Sequence, residues 1–425
     1  MRLLSHLLKR FVEKGQLTVI TVDGVRHVFG SGVDGPSVTV RMHDKKLERD
    51  LFFNPELVSA EAYMDGRLTF EDGAVFDLLN LFSVNRKGLG AHPVQQALRK
   101  GWRALRRFHQ ANPVAKAKEN ASSHYDHPAE FYRLWLDETM AYSCAYFSEP
   151  DEPLADAQRN KFRHVAAKLK LTPGMRVAEI GSGWGGLSIY LAKTCGVHVT
   201  AINVSPDQLA ESRRLAEAAG VADSIDFREM DYRDLKGPFD RVVSIGMMEH
   251  VGVHHFDAYF STIRDLLGPG GFALVHAIGR MSPPGTTAPF IRKYIFPGGY
   301  VPALSEVFAS TERTHLWVAD MEVLRLHYYW TIRAWRHRFE ARHSEVEAMM
   351  GARFTRMWEF YLAAVELGFL HGSNMVFQLL LSDRRDDVPV RRDYMFTGEE
   401  ALAAQDLAAQ EPRLPPAPSS QEFAQ

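Results

Sequence analysis

Residues 175–195 have the sequence MRVAEIGSGWGGLSIYLAKTC, and this stretch decides the fold. Residues 175–180 have the composition of a buried strand, and residues from about 185 to 195 have the pattern of a helix. Between them Gly181, Gly183 and Gly186 follow the spacing G-x-G-x-x-G. A strand, a glycine turn and a helix in this order form the first part of a unit that binds a nucleotide-like ligand against the start of the helix.

The chain after this turn alternates between strand and helix patterns. A helix is predicted to begin at Ser205-Pro206, because Ser caps helices and Pro suits their first turn. Two long helices are predicted over 320–344 and 346–370. Such alternation predicts an α/β fold with a doubly wound, Rossmann-like parallel sheet and helical additions. The further predicted strands are 197–202, 224–228, 241–245, 271–277 and 373–382.

Two features beside the glycine turn indicate which ligand it binds. Glu179 lies two residues before Gly181, where methyltransferases that use S-adenosylmethionine commonly carry an acidic residue. The second strand ends at Ile202-Asn203, without the acid that binds the ribose of NAD. S-adenosylmethionine is therefore favoured, and ribose recognition has to be shared among other polar residues. The candidates are Asn203, Gln208, Asp231 and Tyr232.

Composition restricts the class of protein. The 425 residues include 50 Lys and Arg against 52 Asp and Glu, and 46% are hydrophobic, which excludes a wholly disordered chain. Two cysteines, Cys144 and Cys195, do not make a disulfide framework and suit a reducing compartment. There is no uninterrupted apolar run of about 18 residues, so a transmembrane helix is not predicted and a cytoplasmic location is expected. The balanced charge argues against a dedicated nucleic-acid binder.

The patterns divide the chain into four regions. Residues 1–85 form an N-terminal accessory α+β domain, with an amphipathic first helix, strands within 16–53, and helices within 55–84 interrupted by a polar connection at 61–73. A basic amphipathic linker covers 86–120. The catalytic domain covers 121–400, and 401–425 are predicted to be a disordered tail.

The linker is strongly basic. It carries nine Lys and Arg residues between 86 and 118 and no Asp or Glu. Apolar residues, including Trp102 and Phe108, share one helical stripe of segment 94–109. A cationic helix with aromatic residues on its apolar face suits an anionic membrane surface. The alternative is a connecting helix whose apolar stripe packs on its own protein.

Five strings in fixed order carry a family resemblance: HYDHPAEFYRLWLDETMAYSCAYF at 124–147, EIGSGWGG, DYRDL at 231–235, GMMEHVG at 246–252, and LVHAIG at 274–279 with KYIFPGGYVP at 293–302. Together they closely resemble the cyclopropane-fatty-acyl-phospholipid synthases and, more distantly, the cyclopropane mycolic acid synthases. The resemblance covers about residues 120–385 and, more loosely, the N-terminal domain. It implies a class I methyltransferase fold.

The resemblance also implies a reaction and a site. These enzymes transfer the methylene carbon of the S-adenosylmethionine methyl group to a cis double bond of a phospholipid acyl chain, with bound bicarbonate as the base. By matching motifs, Cys144 lines the anion site, Glu249 holds the anion, His276 and the backbone of Ile278 contact it, and Tyr328 supplies a phenol. The implied cofactor contacts add Tyr142 and Ser143 to Glu179, Gly181 and Gly183.

The resemblance leaves alternatives open. Methyl transfer without ring closure would give methyl-branched or methylene lipids, and a lipid-binding protein that no longer catalyses is a different class. The expected partners are membrane phospholipids with unsaturated chains, through peripheral contact at the inner face of the membrane, and a second copy in a homodimer. Tyr329 and Trp330 are bulkier than the residues of some members, which leaves the preferred acyl chain open.

Overall fold

The computed structural model describes residues 2–86 and 127–410. Nearly all of the predicted basic linker, including segment 94–109, lies outside the described residues, and so do residues 411–425 of the predicted tail. In the two described ranges, no helix is both long enough and apolar enough to cross a membrane.

The N-terminal part has the predicted α+β character. Its four strands form one sheet in the order β2-β1-β3-β4. Leu17, Val19, Val38 and Val40 alternate into the core beneath the helices, as expected for strands with one buried face. The elements are α1 (Arg2–Phe11), β1 (Gln16–Ile20), β2 (Arg26–Phe29), β3 (Ser37–Met42), α2 (Leu47–Phe53), α3 (Pro55–Met64), β4 (Leu68–Asp72) and α4 (Val75–Val84).

Two details of this part differ from the prediction. Residues Leu47–Phe53 form a helix rather than a strand, because Leu47 and Leu51 are one helical turn apart and pack on the same core. The supposed polar connection contains strand β4, which pairs with β3 through Phe70 and Val40. Its short run Leu68-Thr69-Phe70 alternates too briefly for periodicity to reveal it.

The second part is the predicted α/β unit, with all six predicted strands present and one more. Its elements are α5 (Ala129–Arg133), α6 (Leu154–Lys168), β5 (Arg176–Ile180), α7 (Gly186–Cys195), β6 (His198–Asn203), α8 (Pro206–Ala218), β7 (Ile225–Glu229), β8 (Phe239–Ile245), α9 (Met248–Val251), α10 (Phe256–Leu266), β9 (Leu267–Arg280), α11 (Leu304–Arg313), β10 (Trp317–Val323), α12 (His327–Ala341), α13 (His343–Met350), α14 (Ala352–Leu370), β11 (Asn374–Ser382) and α15 (Asp393–Gln410).

The seven strands form one sheet in the order β10-β11-β9-β8-β5-β6-β7. Strands β5 to β9 run parallel, and β11 pairs antiparallel with β9 and with β10. The strand order reverses beside β5, whose neighbours are β6 and β8. In open α/β sheets ligands bind at such a switch point, outside the carboxyl ends of the strands. The predicted fold class is thus confirmed, and the sheet places its ligand site at the glycine turn.

Two predicted boundaries near the end of the chain are wrong. Residues Trp317–Val323 form an edge strand, so the first long helix begins at His327 and not near 320. Helix α15 continues to Gln410, ten residues past the predicted end of the catalytic domain at residue 400. Asp406 explains this extension, because its carboxylate accepts hydrogen bonds from Arg163 at 2.9 Å and from Tyr190 at 3.1 Å and ties α15 to the sheet's helices.

The N-terminal part packs directly on the helices of the second part. Tyr63 donates a hydrogen bond to Glu359 on α14 at 2.5 Å, and Arg356 on α14 donates to the carbonyl of Met64 at 2.9 Å. Glu61 accepts from Lys293 at 2.6 Å and from Tyr294 at 2.8 Å. These contacts join the N-terminal part to α14 and to the segment before α11.

Candidate active site

The glycine turn follows β5 in a conformation that requires glycine. Gly181 and Gly183 have φ values of +84° and +53°, in the left-handed region that residues with a Cβ rarely adopt. The N–H groups of Gly181 and Ser182 both donate to the carbonyl of Ile202 at 3.0 Å, so the turn is fixed to the end of β6. The turn therefore presents its backbone to the space outside the carboxyl ends of the strands.

A cavity lies at this turn, and eight of the nine predicted cofactor residues line it. We call it the cofactor cavity. The predicted residues that line it are Tyr142, Ser143, Glu179, Gly181, Gly183, Asn203, Gln208 and Tyr232. Asp231 is not among the lining residues. Its carboxylate accepts hydrogen bonds from the Arg233 backbone at 3.0 Å and from Arg233 Nε at 2.7 Å, an arrangement that caps the short helical turn after β7.

The polar side chains of the cavity are held by their neighbours. Asn203 donates through Nδ2 to the carbonyl of Gly183 at 3.1 Å and to Gln208 Oε1 at 2.8 Å. Its Oδ1 accepts from the backbone N–H of Val204 at 2.7 Å. Ser205 accepts from the N–H of Gln208 at 3.4 Å, so the predicted helix cap of α8 is present. Asn203 thus joins β6, the glycine turn and α8.

Glu179 is buried at the end of β5, with 3% of its surface exposed. Ser188, in the first turns of α7, donates a short hydrogen bond to its Oε2. Burial raises the pKa of this carboxyl to about 7, because a charge is poorly solvated there. The predicted acidic residue is therefore oriented by the helix that follows the turn.

Sequence reasoning missed one charged residue of the cavity. Lys161 on α6 is 1% exposed, and its Nζ donates to Ser143 Oγ at 2.9 Å. Burial lowers its pKa to about 8. The sequence contained a signal, since Lys161 shares a helical stripe with the buried Ala157 and Val165. A lysine is rarely buried on such a stripe unless its charge has a partner.

We call the five predicted catalytic residues the Glu249 cluster: Cys144, Glu249, His276, Ile278 and Tyr328. Glu249 lies on α9, and Met247, two residues before it, and His250, directly after it, both line the cofactor cavity. The backbone N–H of Ile278 donates to Glu249 Oε1 at 2.6 Å. The two groups of residues therefore adjoin. The Ile278 N–H, which the resemblance assigns to the anion, bonds to Glu249 here.

The second carboxylate oxygen of Glu249 is unusual. Oε2 is buried and has no hydrogen-bond partner among the residues of the two described ranges. Burial raises the pKa of Glu249 to about 7, and the hydrogen bond from Ile278 only partly opposes this shift. A buried carboxylate with one free oxygen near neutral pH is able either to accept or to donate a hydrogen bond.

His276 lies on β9 directly opposite Gln378 on β11. It is 2% exposed, and its Nδ1 is 3.2 Å from Gln378 Nε2. Burial, together with the charges of Lys161 and Lys168, lowers its pKa to about 3. The imidazole is therefore neutral at any physiological pH.

Cys144 and Tyr328 lie in the aromatic core beside these groups. Cys144 is 1% exposed, and burial raises the pKa of its thiol, so it is not a thiolate nucleophile. The Tyr328 ring packs against Phe369 at 4.7 Å and edge-on to Trp335 at 5.8 Å. Both residues belong to the same apolar cluster, and Ile278 packs against it.

The bulky pair after Tyr328 is part of this core. Trp330 packs edge-on to Phe147 at 5.9 Å and to His327 at 5.4 Å. Tyr142, which lines the cofactor cavity, has its hydroxyl 2.8 Å from that of Tyr361. The cofactor cavity therefore adjoins an apolar, aromatic region along α12 and α14.

The sheet, the glycine turn and the cofactor cavity define a class I S-adenosylmethionine-dependent methyltransferase. The sequence model of the family "Mycolic acid cyclopropane synthetase" matches residues 113–379, well over half of the chain. The chain belongs to this family.

Relatives agree with this assignment. The chain is 35% identical over 374 residues to a protein of Pseudomonas putida named "Probable fatty acid methyltransferase", covering 85% of this chain and 92% of that one. It is 37% identical over 259 residues to the cyclopropane-fatty-acyl-phospholipid synthase of Escherichia coli K12, covering 61% of this chain and 66% of that protein.

A solved structure has the same architecture. The mycolic acid cyclopropane synthase CmaA1, in complex with SAH and CTAB, superposes with a TM-score of 0.60 at 28% identity, over 64% of this chain and 99% of that one. Bound SAH in that complex supports S-adenosylmethionine as the cofactor of the present chain.

Proposed function

We propose that this enzyme transfers the methylene carbon of the S-adenosylmethionine methyl group to a cis double bond of phospholipid acyl chains, forming a cyclopropane ring, with bicarbonate as the base. The observation that carries the proposal is the buried Oε2 of Glu249, which lacks a partner among the described residues and lies beside the cofactor cavity. A buried polar atom of this kind indicates a ligand group that completes it.

The residues of the Glu249 cluster fit a bicarbonate ion. Buried Lys161, whose charge contributes to the lowered pKa of His276, provides positive charge nearby, whereas the charge of Lys168 is paired with Glu322. The neutral His276 has one N–H to donate. Because the pKa of Glu249 is about 7, its protonated form can donate to an anion rather than repel it.

The surroundings suit a cationic reaction course. The S-adenosylmethionine methyl is electrophilic, and its addition to an alkene leaves positive charge on the acyl chain. When bound, bicarbonate would supply the base that accepts the proton lost on ring closure. The chain's own contribution is to exclude water with the aromatic core and to stabilise positive charge through aromatic faces such as that of Tyr328.

The phospholipid substrate and membrane contact rest on the resemblance and on segment 94–109. An acyl double bond lies roughly 10 Å or more inside a hydrocarbon core about 30 Å thick, so the enzyme has to dock on the bilayer. Reversing Arg99, Lys100, Arg103, Arg106 and Arg107 to Glu should weaken binding to anionic vesicles, by about 1 kcal/mol for each residue at low salt. If the variant sediments with anionic vesicles to the same extent as the parent, the segment is a linker and not a membrane-docking element.

Methyl transfer without ring closure is the second candidate. It is favoured by the names of two relatives, the Pseudomonas putida protein and the "Tuberculostearic acid methyltransferase UfaA1" of Mycobacterium tuberculosis, which is 37% identical over 279 residues. Ring closure and a methylene product both lose a proton from the methylated cation. The anion site that the resemblance assigns to Glu249, His276 and Tyr328 would hold the base for this step, so it supports these two products over one formed without proton loss.

Mass spectrometry of lipids from expressing cells tests the proposal. Cyclopropanation adds one carbon and two hydrogens to an unsaturated chain, whereas a reduced methyl branch adds one carbon and four hydrogens. NMR of ring protons separates the ring from an isomeric methylene lipid. A purified enzyme whose turnover is the same with and without bicarbonate would contradict the assignment of the base.

A further inference from the structure

A chain of buried polar side chains runs behind His276, on the side of the sheet that α6 covers. Gln378, opposite His276, accepts a hydrogen bond through Oε1 from Lys168 Nζ at 2.9 Å. Lys168 also forms a short ion pair with Glu322 on β10. His164 continues the chain, with Nε2 at 2.7 Å from Glu322. Gln378 is 1% exposed and Lys168 4%, so water does not compete for the bond between them, whereas Glu322 at the outer end is partly exposed.

The partner of Gln378 fixes the orientation of its amide. The ammonium of Lys168 has donors only, so the amide atom that faces it has to be the oxygen. The amide nitrogen then faces His276, where it is 3.2 Å from Nδ1. Because the amide nitrogen is a donor, Nδ1 has to be an acceptor. A neutral imidazole with an accepting Nδ1 carries its proton on Nε2.

We propose that Gln378 and Lys168 are positioning residues that hold His276 in the tautomer with its proton on Nε2. The opposite tautomer would set the Nδ1–H against the amide N–H₂ in a buried place, leaving two donors without acceptors. For the reaction, this inference rests on the proposed function. It specifies that His276 offers a hydrogen-bond donor, and not an acceptor, to an anion in the Glu249 cluster.

The tautomer matters because His276 does not gain a second proton. A protonated imidazole would donate from both nitrogens whatever Gln378 did. The neutral ring has a single donor, and the direction of that donor depends on its neighbour. Lys168 is itself held, since Glu322 pairs with it and His164 lies between Glu322 and Glu399, at 3.2 Å from the latter. Contacts from β10 and α15 therefore fix the position of Lys168, and Lys168 fixes the orientation of the Gln378 amide that faces His276.

The variant Gln378→Glu tests this directly. A glutamate of nearly equal shape keeps its pairing with Lys168 but presents an acceptor to His276, which should move the proton to Nδ1. Nitrogen NMR of histidine-labelled protein, with the His276 signals identified by their loss in His276→Gln, should show a protonated Nε2 in the parent and a protonated Nδ1 in the variant. Turnover should fall by between about tenfold and 10⁴-fold, as for a catalytic histidine in the wrong tautomer, with S-adenosylmethionine affinity within about twofold.

Two further variants separate the outcomes. Gln405→Glu on the exposed side of α15 makes the same charge change and should alter neither the NMR signals nor turnover. Lys168→Met frees the amide to turn and should give a mixture of tautomers, which keeps the test available if Gln378→Glu does not fold. A proton on Nδ1 in the parent, or an unchanged tautomer in both variants, would overturn the inference. If the tautomer shifts but turnover is unaffected in both Gln378→Glu and His276→Gln, the tautomer assignment stands and the proposed role of His276 is wrong.

Discussion

Around the glycine turn, polar side chains are tied to nearby backbone and hydroxyl groups, whereas in the Glu249 cluster they are buried with few partners. Asn203 makes hydrogen bonds to Gly183, Gln208 and Val204. Glu249, by contrast, accepts one bond from Ile278, and its other oxygen has no partner in the part of the chain that the structure describes. The first arrangement builds a rigid binding surface. The second keeps charge poorly solvated, which is useful for a reaction that develops and then removes a cation.

The difference extends to where the residues come from. The cofactor cavity draws most of its lining from the strand ends and turns of β5 to β8, close together in the chain. The Glu249 cluster combines α9, β9, α12 and the segment before α6. Changes in the first region should therefore affect binding of S-adenosylmethionine, and changes in the second should affect turnover alone.

The largest effect is expected at Glu249. Glu249→Gln keeps the shape but removes the ionisable carboxyl, and turnover should fall by about 10²–10³-fold, the usual scale for one electrostatic contact in a reacting site. S-adenosylmethionine affinity, measured by calorimetry, should change by less than about threefold. Turnover at the parental level would show that Glu249 does not take part in the reaction.

Gly183→Val should affect the cofactor cavity and so the binding of S-adenosylmethionine. Its φ of +53° is strained for a β-branched residue by roughly 1–2 kcal/mol, and the added side chain obstructs backbone approach to a ligand. Calorimetry should show at least about a tenfold loss of S-adenosylmethionine affinity. Parental affinity would show that the turn does not contact the cofactor.

Lys161 provides a finer test of the cofactor cavity. Among the described residues that line it, Lys161 is the one with a lysine or arginine charge. S-adenosylmethionine carries a carboxylate, so Lys161→Met should weaken its binding by about tenfold. The affinity for decarboxylated S-adenosylmethionine should change little. Lys161→Arg should retain part of the discrimination. Equal losses for both ligands would assign Lys161 to packing only.

The smallest effect concerns stability and pH. Burial raises the pKa of Glu249 from an ordinary value of 4.5 to about 7 in the folded protein. Its contribution to stability is therefore fully present below pH 4.5 and is lost as pH rises through 7. Glu249→Gln has no ionisable group at this position. Between pH 5 and pH 8 its free energy of unfolding should therefore rise by about 1–3 kcal/mol relative to that of the parent. Urea unfolding at the two pH values measures this, and a constant difference would contradict the raised pKa.

The same contrast explains what the sequence could predict. The glycine turn and the Ser205 cap depend on contiguous residues, and local patterns therefore revealed them. Cys144, His276 and Tyr328 became candidates only through their flanking strings, because a lone buried Cys, His or Tyr has no local signature. The structure places Cys144 and Tyr328 in one apolar cluster with Ile278, and His276 opposite Gln378, but their roles in the reaction stay predictions.

Other features depended on tertiary contacts and were missed. Lys161 and Gln378 are single residues on buried faces, and only the packing of α6 on the sheet shows what they contact. Strand β10 was predicted as helix because its seven residues owe their conformation to pairing with β11. The extension of α15 likewise depends on Arg163 and Tyr190, far away in the sequence.

The most direct test of ring closure uses S-adenosylmethionine with a trideuterated methyl group. Purified enzyme is incubated with vesicles of a phospholipid with cis-unsaturated chains, and the deuterium retained in the product is counted by mass spectrometry. Ring closure should leave two deuterium atoms on the transferred carbon and give NMR signals from the protons of the other two ring carbons, because the base removes one deuteron as the ring closes. A product that retains all three deuterium atoms, with no ring signals, would contradict cyclopropane formation.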